Sequence, residues 1–346
     1  MKTPNWAINL SLLLASFGLC FLILEVVCRI FPGAEYNEYQ LNNPYYYIES
    51  IGNVELYSPY STYKERVPLQ FDHHFYYAPT DGIVCFYSNQ FGARWIEPVD
   101  QPLEASSVLV LGDSFTYGHG LRYEDTFVYR LQRKLEEGSN RISFLNFAKR
   151  GADAEEILNI YRQFKDTVPH HAVLYGLHIN DLVSFATSYI ITNPLAVPWI
   201  VERSKGFDFI AKRIDKLLIK SYRIKQLTDP SLFEEPNFIA ELNALVMLNE
   251  AANNNGARLY VVVLPILVDL KKDTFHPLYD GIRKALDDHE IHYFDLTESL
   301  NGFEDREVWV LPFDQHPNQK ANKVFADKLF EEFQRRGIIV NPVERK

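Results

Sequence analysis

The sequence predicts an α/β protein: a parallel sheet of roughly five strands with helices on both faces, preceded by an N-terminal apolar helix. Three observations predict it. Short apolar runs alternate with amphipathic segments from Val108 onward, the pattern of strands joined by helical crossovers. The run Val108–Leu111 breaks into Gly112-Asp113-Ser114-Phe115-Thr116-Tyr117-Gly118-His119-Gly120, a strand ending in a glycine-lined turn with a serine at its tip. Trp6 to Val27 is apolar apart from Asn9, Ser11, Ser16 and Glu25.

That apolar run comes first in the chain. At about 1.5 Å per residue it can cross a hydrocarbon core of roughly 30 Å. A cleaved signal peptide is the alternative, but no A-x-A-like site follows the apolar core. Leu19 before Cys20 is also not the small residue that lipidation of a cysteine takes. The amino terminus and Lys2 precede the span, while Glu25 and Arg29 offset each other after it. The positive-inside rule therefore places the bulk of the chain outside the cytoplasm. Residues 1–29 are read as a single membrane anchor.

Composition sets the outer bounds. With 346 residues, 47% of them hydrophobic, the chain can build a sizeable core in one domain with extensions. A formal net charge of -10 argues against nucleic acid as the main partner. Cys20, Cys28 and Cys85 cannot form a disulfide framework. No internal repeat or low-complexity linker divides the chain.

Residues 30–102 have a different character. Eleven of the 21 tyrosines lie between Tyr36 and Tyr87, among Asn and Pro and without helical periodicity. The segment reads as a β-rich lead-in whose rings pack on the main domain; a stacking platform for sugars is the alternative. His73 and His74 have no further ligands at fixed offsets, so they do not make a metal site.

From 103 onward the elements follow in order. After the serine turn, Phe127, Leu131 and Leu135 fall at helical spacing, with Gly138 to end the helix. Ile142–Phe147 is the second strand. Asp153 with Glu156 three residues on starts the next helix as a capping box. Ala172–Leu177 is the third strand and runs into His178-Ile179-Asn180-Asp181. An insertion over about 182–236 carries the basic stretch Lys212–Lys225, an amphipathic helix with solvated cations or a membrane-surface contact. Phe238–Ala252 is helix and Arg258–Leu264 the fourth strand; Pro277–Asp288 is helix and Ile291–Asp295 the fifth strand. Pro317–Arg336 is the last helix, with Ala321, Val324, Phe325, Leu329 and Phe333 on one side and Gly337 at its end.

Ligands of such sheets sit at the carboxyl ends of the strands, so the residues standing there carry the functional reading. Four blocks stand in sequence: Gly112-Asp113-Ser114, Asn146 to Gly151 (NFAKRG), His178 to Asp181 (HIND), and Asp314 to Asn318 (DQHPN). The ordered set resembles the SGNH, or GDSL-type, hydrolase superfamily over nearly all of residues 105 to 335. The first block is not the G-x-S-x-G elbow, because position 116 is Thr, and no phosphate-binding G-x-x-x-x-G-K-[ST] occurs. Asn89, Gly92 and Arg94 also resemble the N-x-x-G-x-R stretch before the serine block of membrane-anchored SGNH proteins.

The resemblance implies a three-layer, flavodoxin-like fold and a serine hydrolase. Ser114 is the implied nucleophile, because a serine hydroxyl needs a base within hydrogen-bond reach and His316 can supply it. Asp314 would fix the histidine tautomer and stabilise the imidazolium. The oxyanion donors it implies are the backbone N–H of Ser114, the backbone N–H of Gly151 and the side-chain amide of Asn180, each worth about 3 kcal/mol of barrier. No metal or organic cofactor is implied. Two departures stand out: Asp314 and His316 are separated by one residue where the family has D-x-x-H, and His178 replaces the glycine of the third block. In an extended segment residues i and i+2 share a face, so the pair can still meet. His178 receives no role, His119 is expected to point away from the site, and His170, His171, His276, His289 and His292 are given none.

The function expected is an extracytoplasmic, membrane-anchored serine esterase or O-acyltransferase. Its partners are an ester-bearing glycan or lipid, with acetyl groups on a glycan the leading class, and the membrane through residues 1–29; nucleic acid is not a partner. The alternatives are a non-catalytic glycan-binding or assembly protein on the same fold, and a lipid-acting esterase.

Overall fold

The sheet is built outward from β4 (Ser106–Gly112), whose seven residues are all buried. A strand covered on both faces has no polar side to show, which is why SSVLVL reads as a continuous run rather than an alternation. The structure, a computed structural model, describes residues 5–30, 58–66, 83–104, 106–137, 142–183, 203–207, 209–210, 224–272, 274–311 and 314–338. Lys2, His73, His74, Gly138, most of the tyrosine-rich stretch and most of the basic stretch Lys212–Lys225 lie outside the described residues.

Four further strands pair in parallel around β4: β5 (Ile142–Asn146), β6 (Ala172–Leu177), β7 (Arg258–Val263) and β8 (His292–Asp295). Their spatial order is β5-β4-β6-β7-β8. This is the doubly wound, flavodoxin-like order that the family resemblance implied, with the strand order reversing between β4 and β6. The sheet is longer than its parallel core. Strands β1 (Thr62–Arg66), β2 (Ile83–Ser88) and β3 (Arg94–Trp95) of the lead-in join it antiparallel, β3 pairing with β5 through Arg94 and Asn146.

Helices close both faces. After α1 (Asn5–Ile30), the short helix α2 (Ser114–Tyr117) and α3 (Phe127–Glu137) follow β4; α4 (Ala154–Phe164), α5 (Pro236–Asn254) and α6 (His276–Asp288) lead into β6, β7 and β8. The last helix is α7 (Gln319–Arg335). On one face Val108, Val110, Phe144, Leu174 and Phe294 form a core with Phe127, Leu131 and Leu135 of α3 and Phe325, Leu329 and Phe333 of α7. Alternation turns Leu109 and Leu111 the other way, toward the face where α4 and α5 pack together. Each fully buried Leu or Phe contributes roughly 1.5–3 kcal/mol of transfer free energy.

Before α7 the chain forms a two-stranded antiparallel hairpin, β9 (Trp309–Leu311) with β10 (Asp314–Pro317). Asn318 is the N-cap of α7, accepting from the amides of Lys320 and Ala321 at 2.9 and 3.1 Å while donating to the carbonyls of Glu307 and Trp309. Asn322 donates to the carbonyls of Pro317 and Asn318 and accepts from the amide of Phe127. The segment that carries His316 is thus fixed to both covering helices of that face.

The chain divides into two units: residues 44–185 with 227–346, which hold everything above except α1, and residues 1–43 with 186–226. In the second unit Asn9–Ile30 of α1 is long and apolar enough to cross a membrane, a length and composition that a signal sequence shares. Its acidic residue, Glu25, accepts from Arg29, the Ser204 hydroxyl and the Gly206 amide. A Cβ at Gly206 would stand 3.1–3.3 Å from Glu25.

Candidate active site

The site begins where β4 ends. Gly112 takes φ +146°, and a Cβ there would lie 2.3 Å from the Thr116 hydroxyl. Its register partner Gly176 on β6 is under the same constraint, at 2.0 Å. The two glycines leave room for Thr116 to pack against the paired ends of β4 and β6, with Thr116 Oγ1 donating to the Gly176 carbonyl at 3.3 Å. Asp113 is fully buried and caps α2, accepting from the amide of Phe115 at 2.8 Å. Ser114 is therefore the first residue of α2, at the strand order's point of reversal.

The far end of this turn is held by Arg94. Asn89 accepts from the amides of Phe91 and Ala93, and Gly92 takes φ +78°, so the Asn89–Arg94 stretch is a tight turn delivering the arginine to β3. The buried guanidinium packs against the rings of Phe86 and Tyr117, 4.5 and 4.6 Å from their centroids. It donates to the carbonyls of Tyr117, Gly118 and Leu121. From the sequence this motif was only a supporting resemblance; in the fold it clamps the serine turn.

Ser114, His316 and Asp314 are brought together. Ser114 Oγ lies 2.8 Å from His316 Nε2, and His316 Nδ1 is hydrogen-bonded to Asp314 Oδ1. The extended backbone of β10 places both side chains on one face, so a single intervening residue suffices, and the His316 amide also donates to Asp314 Oδ1 at 3.1 Å. Burial would raise the Asp314 carboxyl, but the charge of His316 and the hydrogen bonds from His119 and His316 outweigh it and hold it well below the usual carboxylate range. Burial opposes charging of His316, yet the Asp314 carboxylate prevails and raises it above the ordinary histidine value. An ionised Asp314 accepts the proton of Nδ1 and leaves Nε2 as an acceptor for the serine hydroxyl.

One expectation is overturned. His119 does not point away: its Nε2 lies 3.3 Å from Asp314 Oδ2, and its Nδ1 is 3.2 Å from Arg150 Nη1. The reason is the turn that ends α2. The amides of Gly118 and His119 both return to the Ser114 carbonyl, and Gly118 and Gly120 take φ +82° and +72°. That left-handed curl swings position 119 back over the serine. The sequence signal was a histidine between two glycines, which fixes a conformation but not a direction.

The residues expected from the sequence to bind an oxyanion are assembled differently. Asn180 donates its amide to Asp113 Oδ2 at 3.0 Å, and its carbonyl oxygen is hydrogen-bonded to His178 Nδ1. The His178 ring stacks on Phe115, centroids 3.9 Å apart, so the histidine in place of a glycine fixes which end of the Asn180 amide faces Asp113. Asp181 is buried beneath, accepting from the Tyr175 hydroxyl and the His178 amide; burial, and then the charge of Asp113, raises its carboxyl well above the usual range. Gly151 is exposed in a left-handed turn at φ +73°. Its turn is tied to the end of β4 by the Lys149 amide, which donates to the Gly112 carbonyl at 2.8 Å. Gly151 itself is outside the hydrogen-bonded set that joins Ser114, His316, Asp314, Asp113 and Asn180.

His119, Asp314 and His316 offer ligand atoms within 4.8 Å of one another, the group among the described residues that could hold a cation. That use competes with the other contacts of His316, which would have to give up either its Nδ1 bond to Asp314 or its Nε2 contact with Ser114.

No family model matches the sequence, and no curated protein does. Solved structures do. The chain is similar to a lipolytic protein of the G-D-S-L family from Veillonella parvula (15% identity, 67% of this chain and 100% of that one, TM-score 0.42). It is similar also to the psychrotrophic esterase EstA from a Pseudoalteromonas species (15%, 67% and 99%, TM-score 0.43) and to the acetyl xylan esterase AlAXEase (15%, 65% and 98%, TM-score 0.41). These are likenesses of chain course.

Proposed function

We propose that this chain is a serine esterase of SGNH type, acting through an acyl-serine intermediate. The observation that carries the reading is the 2.8 Å approach of Ser114 Oγ to His316 Nε2, with Asp314 on the other imidazole nitrogen. Ser114 Oγ attacks the ester carbonyl as its proton passes to His316 Nε2, and the Asp314 carboxylate stabilises the imidazolium. The tetrahedral oxyanion takes hydrogen bonds from the Ser114 amide, which as the first N–H of α2 has no intrahelical partner, and from Gly151 and Asn180. As the intermediate collapses, the C–O bond to the leaving group breaks and His316 Nε2–H protonates the departing alkoxide. A water, or the hydroxyl of an acceptor, then repeats the sequence on the acyl-serine. Hydrolysis and acyl transfer use the same residues.

The substrate class follows from where the chain works. An anchor that leaves residues 30–346 outside the cytoplasm directs the site at envelope esters, and O-acetyl groups on a glycan are the class proposed. The test is hydrolysis of p-nitrophenyl esters by the full chain in detergent, beside Ser114→Ala, with trapping by a fluorophosphonate. Turnover and labelling both lost in Ser114→Ala, with activity falling off beyond the shortest acyl groups, fit the proposal. A preference for long acyl chains moves the substrate to lipids, and labelling that survives Ser114→Ala removes the nucleophile.

A further inference from the structure

The hydrogen bonds around Asp314 are unevenly shared. Both contacts from His316, through Nδ1 and through its backbone amide, fall on Oδ1. Both of those donors belong to one residue and pull on one oxygen. Oδ2 is met from another part of the chain, by His119 Nε2 at 3.3 Å.

Counting protons settles how that contact runs. A guanidinium has donors only, so Arg150 Nη1, 3.2 Å from His119 Nδ1, leaves that nitrogen as an acceptor. The one ring proton of the neutral imidazole then sits on Nε2, the nitrogen 3.3 Å from Asp314 Oδ2. Arg150 comes from the turn after β5 and packs over the Tyr117 ring at 5.5 Å, and the His119 ring lies 4.4 Å from that of His316. The sequence of contacts is Arg150, His119, Asp314, His316, Ser114.

We infer that His119, set in its Nε2–H tautomer by Arg150, is a positioning residue that locks the second oxygen of Asp314 and so aims His316 at Ser114. The inference rests on the esterase reading and bears on how a D-x-H pair works: the short spacing gives contacts on one oxygen, and His119 meets the other. His119 touches no reacting atom, so its loss acts through kcat, not through substrate binding.

The experiment compares His119→Ala and His119→Gln in the full chain, because a glutamine amide can place an N–H near the position of imidazole Nε2. For His119→Ala we expect kcat for p-nitrophenyl acetate to fall by about tenfold to a hundredfold with KM unchanged, and for His119→Gln most of it to return. Independently of turnover, the downfield N–H resonance of His316 Nδ1, assigned by its absence in His316→Ala, should shift or broaden in His119→Ala and reappear in His119→Gln. A His119→Ala enzyme within about twofold of the parent in kcat, with that resonance unmoved, overturns the inference. An inactive parent, or a Ser114→Ala variant that keeps its activity, sinks the esterase reading instead, and the resonance still decides whether His119 holds Asp314.

Discussion

The two sides of the candidate site are finished to different degrees. Around His316, five side chains from three parts of the chain form a continuous run of polar contacts. On the oxyanion side, Asn180 gives its amide to Asp113 and Gly151 stands exposed in its turn. The contrast follows from when each charge exists. Asp314 is charged and buried in the resting protein, and a buried carboxylate is costly unless paired and hydrogen-bonded, so the fold must close around it. The oxyanion charge exists only in the transition state. Donors kept buried and unpaired for it would each cost about 1–3 kcal/mol; of the three donors proposed, Gly151 is exposed, Asn180 rests on the Asp113 carboxylate, and only the Ser114 amide is buried at the head of its helix.

If that contrast is right, the largest effect after loss of the nucleophile belongs to the base side. Asp314→Asn should lower kcat by about 10⁴-fold, read on the same p-nitrophenyl ester. It should also move the pH profile in a definite direction. His316 must be neutral to act as base, and Asp314 raises it above the ordinary value of 6.5. The parent's kcat/KM should therefore climb with pH through a midpoint above 6.5. In Asp314→Asn the raising charge is gone and burial remains, so the residual activity should have its midpoint at lower pH. A midpoint that does not move would break the assignment of Asp314 as the partner of His316.

The oxyanion side should yield less. Asn180→Ala removes one donor and should cost about 10²–10³ in kcat, with little change in KM, since the bond strengthens only in the transition state. A loss equal to that of Asp314→Asn would mean that Asn180 also builds the resting site through Asp113, and the two sides would not be separable. The smallest effect expected is from chelation: dialysis against EDTA should leave kcat unchanged, because both ring nitrogens of His316 are engaged, by Asp314 and by Ser114. Activity lost to EDTA and restored by zinc would replace the relay with a cation at His119, Asp314 and His316.

Several features were legible without coordinates because their causes are local. The strand of β4 and its glycine turn, the amphipathic α3 and α7, and the parallel order predicted from alternating elements all follow from periodicity and turn chemistry that neighbouring residues impose. The meeting of Asp314 and His316 needed only the two-residue repeat of extended chain. Arg94 was read as part of a motif without a mechanism, since its partners, the carbonyls of residues 117, 118 and 121, lie more than twenty positions away. His119 was misread for the same reason.

The sequence by itself determined which residue types follow which apolar runs: a serine and an asparagine at the ends of two parallel strands, and a D-x-H pair just before the last helix. Tertiary structure alone decided which of them share protons. The meeting of His316 with Ser114 depends on α7 packing its phenylalanines against the face that Val108 and Val110 present. The placing of His119 on Asp314 depends on the left-handed turn at Gly118 and on Arg150 arriving from β5. Hydrogen bonds act over about 3 Å, and only the packed core fixes residues two hundred positions apart to that tolerance.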